Sequence, residues 1–313
     1  MAERVAIVGA GVSGLTCGVV LAERGFHTAI FAKEIGQQTT SGAAAAIWFP
    51  YDAQPAEKVI PWALETYKAL IDLTRDPRSG VSMIDLRQFS RTGEIQIPDW
   101  AIPLGAAAVA TGLRPVFKSG FSLRVPLTDT TIYLDYLAAR LLRAGGTING
   151  EVCFEKLEEV DRDFELVINC AGIGARELVR DTELEPHRGQ VVIVPRVEDL
   201  SCAIVCDDAP LMYAIPRTND CVFGGTNDLS SDLAADPGTT NRIIAECSRV
   251  LNIERPNVLA ARVGLRPFRK SGVRLEREKL RDGRIVIHNY GHGGSGFTLS
   301  WGCAREVLDI ATQ

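Results

Sequence analysis

Two glycine-rich stretches are the first residues in this chain whose types and spacing could do chemistry. Gly9-Ala10-Gly11-Val12-Ser13-Gly14 follows a strand-like run over residues 4–8 and opens a helix-like segment ending near Arg24. Gly9 permits a tight turn, Gly11 lets backbone approach a pyrophosphate, and Gly14 lets helix and strand pack closely. The phosphate then lies at the positive end of the helix, among unpaired N–H groups. The second stretch, Gly291-His-Gly-Gly-Ser-Gly296, again joins a buried strand to a helix. Such a loop suits an electron-accepting ring, because a flavin gains negative charge at its N1–C2=O edge on reduction and a helix N-terminus stabilises it. The pair of loops points to FAD rather than NAD. Glu34 follows Gly14 by twenty residues, just past a strand expected to end at Phe31. It could meet a ribose, as the acid of such a loop does; neighbouring Lys33 could meet a phosphate or simply be a solvated charge.

Other chemistries find little to work with. The four His, at 27, 187, 288 and 292, are scattered, and the eight Cys include no C-x-x-C pair, so a zinc site is not expected. Free buried thiols in a reducing compartment are the expected state of those cysteines. A net charge of −5 gives no long-range pull toward nucleic acid or anionic lipid. With 46% hydrophobic and 23% charged residues the chain is expected to be globular, which excludes wholesale disorder and a collagen-like fibre. No run approaches the roughly 18 apolar residues of a membrane span. The N-terminus enters a strand at once, unlike a signal peptide, and Ala311-Thr312-Gln313 is not a peroxisomal tripeptide. A soluble cytoplasmic protein is the expectation.

The elements that must position the loops follow from pattern. Strand, glycine loop, helix and a second strand, 27–31, make a β-α-β unit in about thirty residues, the context in which such a loop binds a dinucleotide. Thr39–Gly42 reads as a polar loop, Ala43–Ile47 as a short helix and Pro55–Arg75 as a longer one. Val81–Phe89, Glu94–Pro98 and Gly120–Val125 read as antiparallel strands. A helix over Thr131–Ala144 carries a Leu134, Leu137, Leu141 stripe. Leu166–Asn169 reads as a buried strand that feeds a ligand site through Cys170-Ala171-Gly172. Strands are expected at 190–194, 202–206, 211–215, 221–224, 258–265 and 284–290, a helix near 239–251, and a helix from the second glycine loop to the end. The class is therefore α/β: a Rossmann-like dinucleotide-binding domain interleaved with an α+β domain on a mixed, largely antiparallel sheet. We assign residues 1–54, 129–181 and 269–313 to the first and 55–128 and 182–268 to the second.

Several blocks occur in one order along the chain: Val8-Gly-Ala-Gly-Val-Ser-Gly14, Thr39-Thr-Ser41, Ile47-Trp-Phe-Pro-Tyr51, Val167-Ile-Asn-Cys-Ala-Gly172, Arg188-Gly-Gln190, Val263-Gly-Leu-Arg-Pro267, Val273-Arg-Leu-Glu276 and His288-Asn-Tyr-Gly-His-Gly-Gly294. Together they resemble the D-amino-acid oxidase and D-aspartate oxidase family over residues 4–310, and they are most like a D-amino-acid oxidase with a short active-site lid. The resemblance implies FAD-dependent oxidative deamination of a D-amino acid by hydride transfer to flavin N5. Dioxygen then becomes hydrogen peroxide, and the imino acid hydrolyses to a 2-oxo acid and ammonia. It implies that Arg266 forks onto the substrate carboxylate, that the Tyr213 hydroxyl joins it, and that the Gly294 carbonyl accepts from the amine. Thr39, Thr40 and Ser41 fall on the pyrophosphate side, Ala46 and Ile47 on the flavin edge, and Gly293, Gly294, Gly296, Phe297 and Thr298 at the pyrimidine end. Phe154, Cys170, Ala171 and Gly172 complete the implied cofactor set, with Phe49 and Asn227 near the substrate. The implied partners are a small D-amino acid and dioxygen, with a homodimer as the implied assembly.

The chain departs from the family in places that bear on substrate. The segment Asp207-Asp-Ala-Pro-Leu-Met212 is too short for the lid and second tyrosine of vertebrate D-amino-acid oxidases, so an open pocket is expected. Phe49 stands where a polar residue is common. Asn227 follows Gly-Gly-Thr226 where D-aspartate oxidases carry an arginine, and a neutral amide cannot pair a second carboxylate. Arg217, Arg262 and Arg269 are the cations that could replace it, which keeps D-aspartate as the alternative substrate. A glycine or N-methyl-amine oxidase shares the fold, and a non-enzymatic dinucleotide-binding regulator would keep the loops without the chemistry.

Overall fold

Val5, Ala6 and Ile7 are fully buried and Val8 nearly so, which demands cover on both faces of the first strand. The computed structural model describes residues 3–111 and 116–313, and it gives that strand, β1 (Arg4–Ala10), a central place. Its sheet also holds β2 (His27–Ile35), β6 (Thr147–Asn149), β7 (Leu166–Asn169), β14 (Arg274–Lys279) and β15 (Ile285–Tyr290) in the order β14-β15-β7-β1-β2-β6. All neighbours are parallel except β14 and β15, which form a hairpin. Helices α1 (Val12–Glu23), α3 (Ala56–Leu73), α4 (Thr130–Arg143) and α7 (Gly296–Ala311) pack together in the main core, α1 and α3 both against α7. The α3–α7 crossing is close: the Gly302 N–H donates to Thr66 Oγ1 at 2.9 Å, and a Cβ on Gly302 would meet the Trp62 backbone at 2.3 Å.

Among the described residues a second, nine-stranded sheet is built from β3 (Val81–Ser90), β4 (Ala107–Ala108), β5 (Ser119–Thr128), β8 (Leu184–Pro195), β9 (Cys202–Cys206), β10 (Met212–Pro216), β11 (Asp220–Gly224), β12 (Asp228–Leu229) and β13 (Ala260–Arg269). Its order is β12-β8-β11-β10-β9-β3-β5-β4, with β13 also paired to β8. The pairings are antiparallel except β3 with β9. Strand alternation divides its side chains. Val192, Val194, Ile204 and Phe223 pack with Ile243 and Cys247 of α6 (Pro237–Leu251), while Val191, Ile193, Ala203 and Val222 join the main core.

Several sequence expectations are corrected. The short helix is α2 (Thr40–Ala43), not 43–47. Beyond Ala43 the chain pairs with β5 instead: Trp48 N–H donates to the Pro126 carbonyl and Thr128 N–H to that of Ala46. The polar loop at 39–42 is accordingly a helix start, with Thr39 as its N-cap. No strand forms over 94–98; Ile95 N–H is taken by Ser119 Oγ at 2.8 Å, and the chain turns at Pro98. Strand β2 runs four residues past Phe31, so Glu34 lies within it. Strand β13 begins two residues later than expected and extends through Arg266 and Pro267 to Arg269, paired along β8. The hairpin strand β14 was not expected at all. Cys153 is exposed, whereas the other seven cysteines are buried. Among the described residues no helix is long and apolar enough to cross a membrane.

Candidate active site

A cavity of about 990 Å³ runs between the two sheets, at the upper end of the size of small-molecule sites. One wall is the first glycine loop. Gly9 has φ +111°, and a Cβ there would fall 2.3 Å from the Cys170 carbonyl oxygen. A Cβ on Gly14 would fall 1.9 Å from the Gly9 carbonyl oxygen, so Gly14 closes the loop from below and does not line the cavity. Gly9 to Ser13 do line it. The loop is tied to the next segment through Val12 N–H, which donates to Ser41 Oγ at 2.9 Å. Lys33 and Glu34 at the end of β2 reach the same wall, with Thr39, Thr40, Ser41, Phe154, Cys170, Ala171 and Gly172.

The second glycine loop lines the same cavity, with Gly296 beside Val12 of the first loop, and is stitched to residues 49–52. Tyr51 N–H donates to Ser295 Oγ at 2.7 Å, and the same hydroxyl donates back to the Tyr51 carbonyl. Phe49 N–H donates to Thr298 Oγ1 at 3.1 Å, which donates to the Phe49 carbonyl at 3.0 Å. A side chain on Gly293 would strike the Asp52 carbonyl at 2.0 Å, and one on Gly294 the Tyr51 ring at 2.6 Å. Ala46 sits at φ +55°, its carbonyl taking the Thr128 hydroxyl at 2.7 Å. That neighbouring pairing sustains an uncommon backbone at the cavity edge. Ala46, Ile47, Phe49, Gly293, Gly294, Gly296, Phe297 and Thr298 all face the cavity.

Between the loops lies the face of the nine-stranded sheet, which carries Arg266 on β13 and Tyr213 on β10. Arg266 Nη1 donates to the Thr226 carbonyl and to Asn227 Oδ1, both at 3.1 Å. Asn227 is off the cavity wall and acts through Arg266. The guanidinium lies over Gly189, whose Cβ would come within 2.5 Å of Nη2; the Tyr213 ring lies over Gly224, whose Cβ would come within 2.0 Å of Cζ. The absence of side chains at these two glycines makes room for both groups. Burial pushes the Tyr213 hydroxyl pKa up, with the Arg266 charge beside it pulling the other way. Behind Arg266, Asp52 faces His187 Nδ1 at 3.4 Å, and burial raises its carboxyl against the pull of His187 and Arg266. Burial likewise pushes His292, under the second loop, down to about 4; its Nε2–H donates to Asn289 Oδ1 at 3.0 Å.

The structure thus brings to the cavity wall every residue singled out from sequence except Gly14 and Asn227, which lie behind it, and the candidate cations Arg217, Arg262 and Arg269, which do not line it. It also adds residues not singled out: Tyr51, Leu86, Gln88, Val205, Asp207 and Leu211. Period-two alternation within strands was the available signal, since Leu86 and Gln88, and Leu211 and Tyr213, are two apart. Burial pushes the Tyr51 hydroxyl up to about 12, with Asp207 adding to it.

A family model described as FAD dependent oxidoreductase matches residues 4–310. The chain belongs to that family. It is 40% identical over 318 residues to a D-amino-acid oxidase of Rubrobacter xylanophilus, covering 98% of this chain and 95% of that one. It is 37% identical to a D-amino-acid oxidase of Streptomyces coelicolor, covering 98% and 96%. A D-aspartate oxidase of Homo sapiens is 31% identical, covering 99% and 95%. Among solved structures, glycine oxidase from Geobacillus kaustophilus superposes with a TM-score of 0.84 at 19% identity, covering 99% and 95%, which shows the shared fold. FAD is the family's cofactor, and this chain fits it. Gly11 leaves a cradle against Ser41 Oγ that a Cβ would fill at 3.1 Å, and no side chain caps the N-terminus of α1 or of α7. The two helix ends face one continuous cavity.

Proposed function

We propose that the protein is a D-amino-acid oxidase whose substrate lies between the second glycine loop and the face bearing Arg266 and Tyr213. The observation that carries this reading is the convergence of the Arg266 guanidinium and the Tyr213 phenol in the cavity of a chain 33–40% identical to three D-amino-acid oxidases. Arg266 keeps donors free beyond the two bonds made by Nη1, so it can fork onto a carboxylate. Tyr213, neutral at physiological pH, donates its hydroxyl to the same group. The Gly294 carbonyl is the acceptor we assign to the substrate amine. Fixing carboxylate and amine at once orients the Cα–H and leaves one direction for the side chain, which is the origin of stereospecificity. When bound, the flavin supplies the two-electron acceptor for the Cα hydride and the route of those electrons to dioxygen. The protein's share is positioning and water exclusion, and no side-chain base is required. We further propose that residues 1–54, 129–181 and 269–313 form the cofactor lobe and that 55–128 and 182–268 form the substrate lobe. The assignment of each strand-rich segment to a different sheet supports that division.

An acidic substrate is not favoured by the arginines available to a second carboxylate. Arg217 is buried and engaged by Asp220 at 2.6 Å, Arg269 by Asp181 at 2.8 Å, and Arg262 by Gln37 Oε1 at 3.0 Å. The visible spectrum under anaerobic conditions tests the reading. D-alanine and other D-amino acids are expected to bleach the flavin and their L-enantiomers to leave it oxidised; bleaching by glycine or sarcosine alone overturns it.

A further inference from the structure

The wall facing the substrate side chain contains an acid that nothing in the fold requires. Asp207 follows β9, two residues beyond Val205, and Val205 pairs with Tyr213 on one side and Gln88 on the other. Alternation therefore sets Asp207 on the face that carries Tyr213 and Gln88, and all four residues line the cavity that holds Arg266. Its neighbour Asp208 is consumed by structure: one oxygen accepts from Ser90 Oγ, Arg91 N–H, Thr92 N–H and the Thr92 hydroxyl, at 2.6 to 3.2 Å. Asp207 accepts only from Gln88 Nε2, at 2.8 Å, and no Lys, Arg or His among the described residues forms an ion pair with it. Its side chain lines the cavity, and burial pushes its carboxyl pKa up, with the Asp208 charge adding to it and the Gln88 bond pulling the other way.

We propose, on the oxidase reading above, that Asp207 selects D-amino acids whose side chains end in a cation, of the lysine and arginine class. The geometry suits that length. The carboxylate-binding groups lie over Gly189 on β8 and Gly224 on β11, and β9 is two strands beyond β11. Two inter-strand spacings are about 10 Å, the reach of a substrate with three or four side-chain methylenes and a charged head. Leu86, Val205, Leu211 and Phe49 give this wall an apolar surface that packs methylenes, and the Tyr51 phenol lies near enough to feel both Asp207 and Arg266. The same carboxylate repels D-aspartate and D-glutamate, in keeping with the occupied arginines.

The test uses the holoenzyme and its Asp207→Asn variant, with peroxide formation measured on D-lysine, D-arginine, D-norleucine and D-aspartate. The kcat/KM ratio of D-lysine to D-norleucine is expected to fall about tenfold in D207N, about 1.4 kcal/mol of discrimination. In parallel, 6-aminohexanoate and hexanoate, which lack an α-amine and cannot be oxidised, are titrated against the flavin spectrum. The amino compound is expected to bind more tightly than hexanoate to the wild type and to lose that advantage in D207N. An unchanged D-lysine to D-norleucine ratio, or equal binding of the two acids by the wild type, overturns the role of Asp207 while leaving the oxidase reading intact. Failure of D-norleucine and D-lysine alike to reduce the flavin overturns both.

Discussion

Replacing Gly224 with alanine tests the substrate site through its support rather than through its contacts. Gly224 sits on β11 directly opposite Tyr213 on β10, and the phenol ring lies across the space a side chain would fill. An added Cβ would stand 2.0 Å from Tyr213 Cζ and 2.3 Å from its hydroxyl oxygen. Ordinary carbon contacts lie near 3.5–4.0 Å, so the ring must withdraw by roughly 1.5 Å. It can do so, because the displaced atoms are the far end of a side chain that borders open cavity. A misplacement of about 1 Å at a positioning group costs on the order of a hundredfold, which is about 2.7 kcal/mol of transition-state stabilisation. Stopped-flow flavin reduction with D-alanine is therefore expected to show kcat/KM reduced about a hundredfold in G224A. The flavin content and the urea midpoint are expected to stay near wild type. Tyr213→Phe, which removes the hydroxyl and leaves the ring in place, is expected to lose less. Reduction within threefold of the wild-type rate, in a variant that retains its flavin, would refute the claim that the position of this ring matters.

Three further outcomes follow from the same geometry. Arg266→Ala is expected to raise KM for every D-amino acid, at about 3 kcal/mol for a lost charge-assisted pair or roughly a hundredfold; an unchanged KM removes its assignment. Gly9→Ala must relieve both a positive φ and a 2.3 Å approach to Cys170, so the purified variant is expected to carry far less flavin than wild type, as its ratio of visible to ultraviolet absorbance will show. His292 is buried and held down to about 4, so the unfolded chain binds the proton first and stability falls as pH drops from about 6.5 toward 4, by roughly 3 kcal/mol. Urea midpoints across that range are expected to decline less steeply in His292→Gln; parallel slopes would refute it.

The two glycine loops were legible because a nucleotide is held by backbone, and only glycine permits the turns and close approaches that backbone must make there. Element ends were misjudged where side-chain polarity hid the pattern. Strand β14 has the sequence Arg274-Leu-Glu-Arg-Glu-Lys279 and looks like a solvated turn. In the fold Arg274 spans Glu276 and Glu278 along that edge strand, so its charges neutralise each other instead of preventing pairing. Residues 43–47 are rich in alanine and read as helix, but β5 takes their backbone groups. The assignments of Arg266 and Tyr213 came from family resemblance, since many arginines and tyrosines are compatible with the residue pattern alone. Alternation with Val205 could have placed Asp207 on a face, but not beside its partner Gln88, which is 119 residues away and meets it only through the pairing of β3 with β9.

The strand order has a consequence for how the protein must be made. The first glycine loop, which lines the cavity, lies at residues 9–14. The helix α7 that packs against α1, and the second glycine loop before it, lie far later in the chain, at residues 291–313. Until residues 291–313 are made, a nascent chain therefore carries an incomplete cavity, with the side of α1 that packs on α7 uncovered. Domains usually fold as units in order of synthesis, but here an earlier-made unit awaits a much later-made piece. A complete cavity thus requires α7, and its removal would leave the β1–loop–α1 unit without its cover.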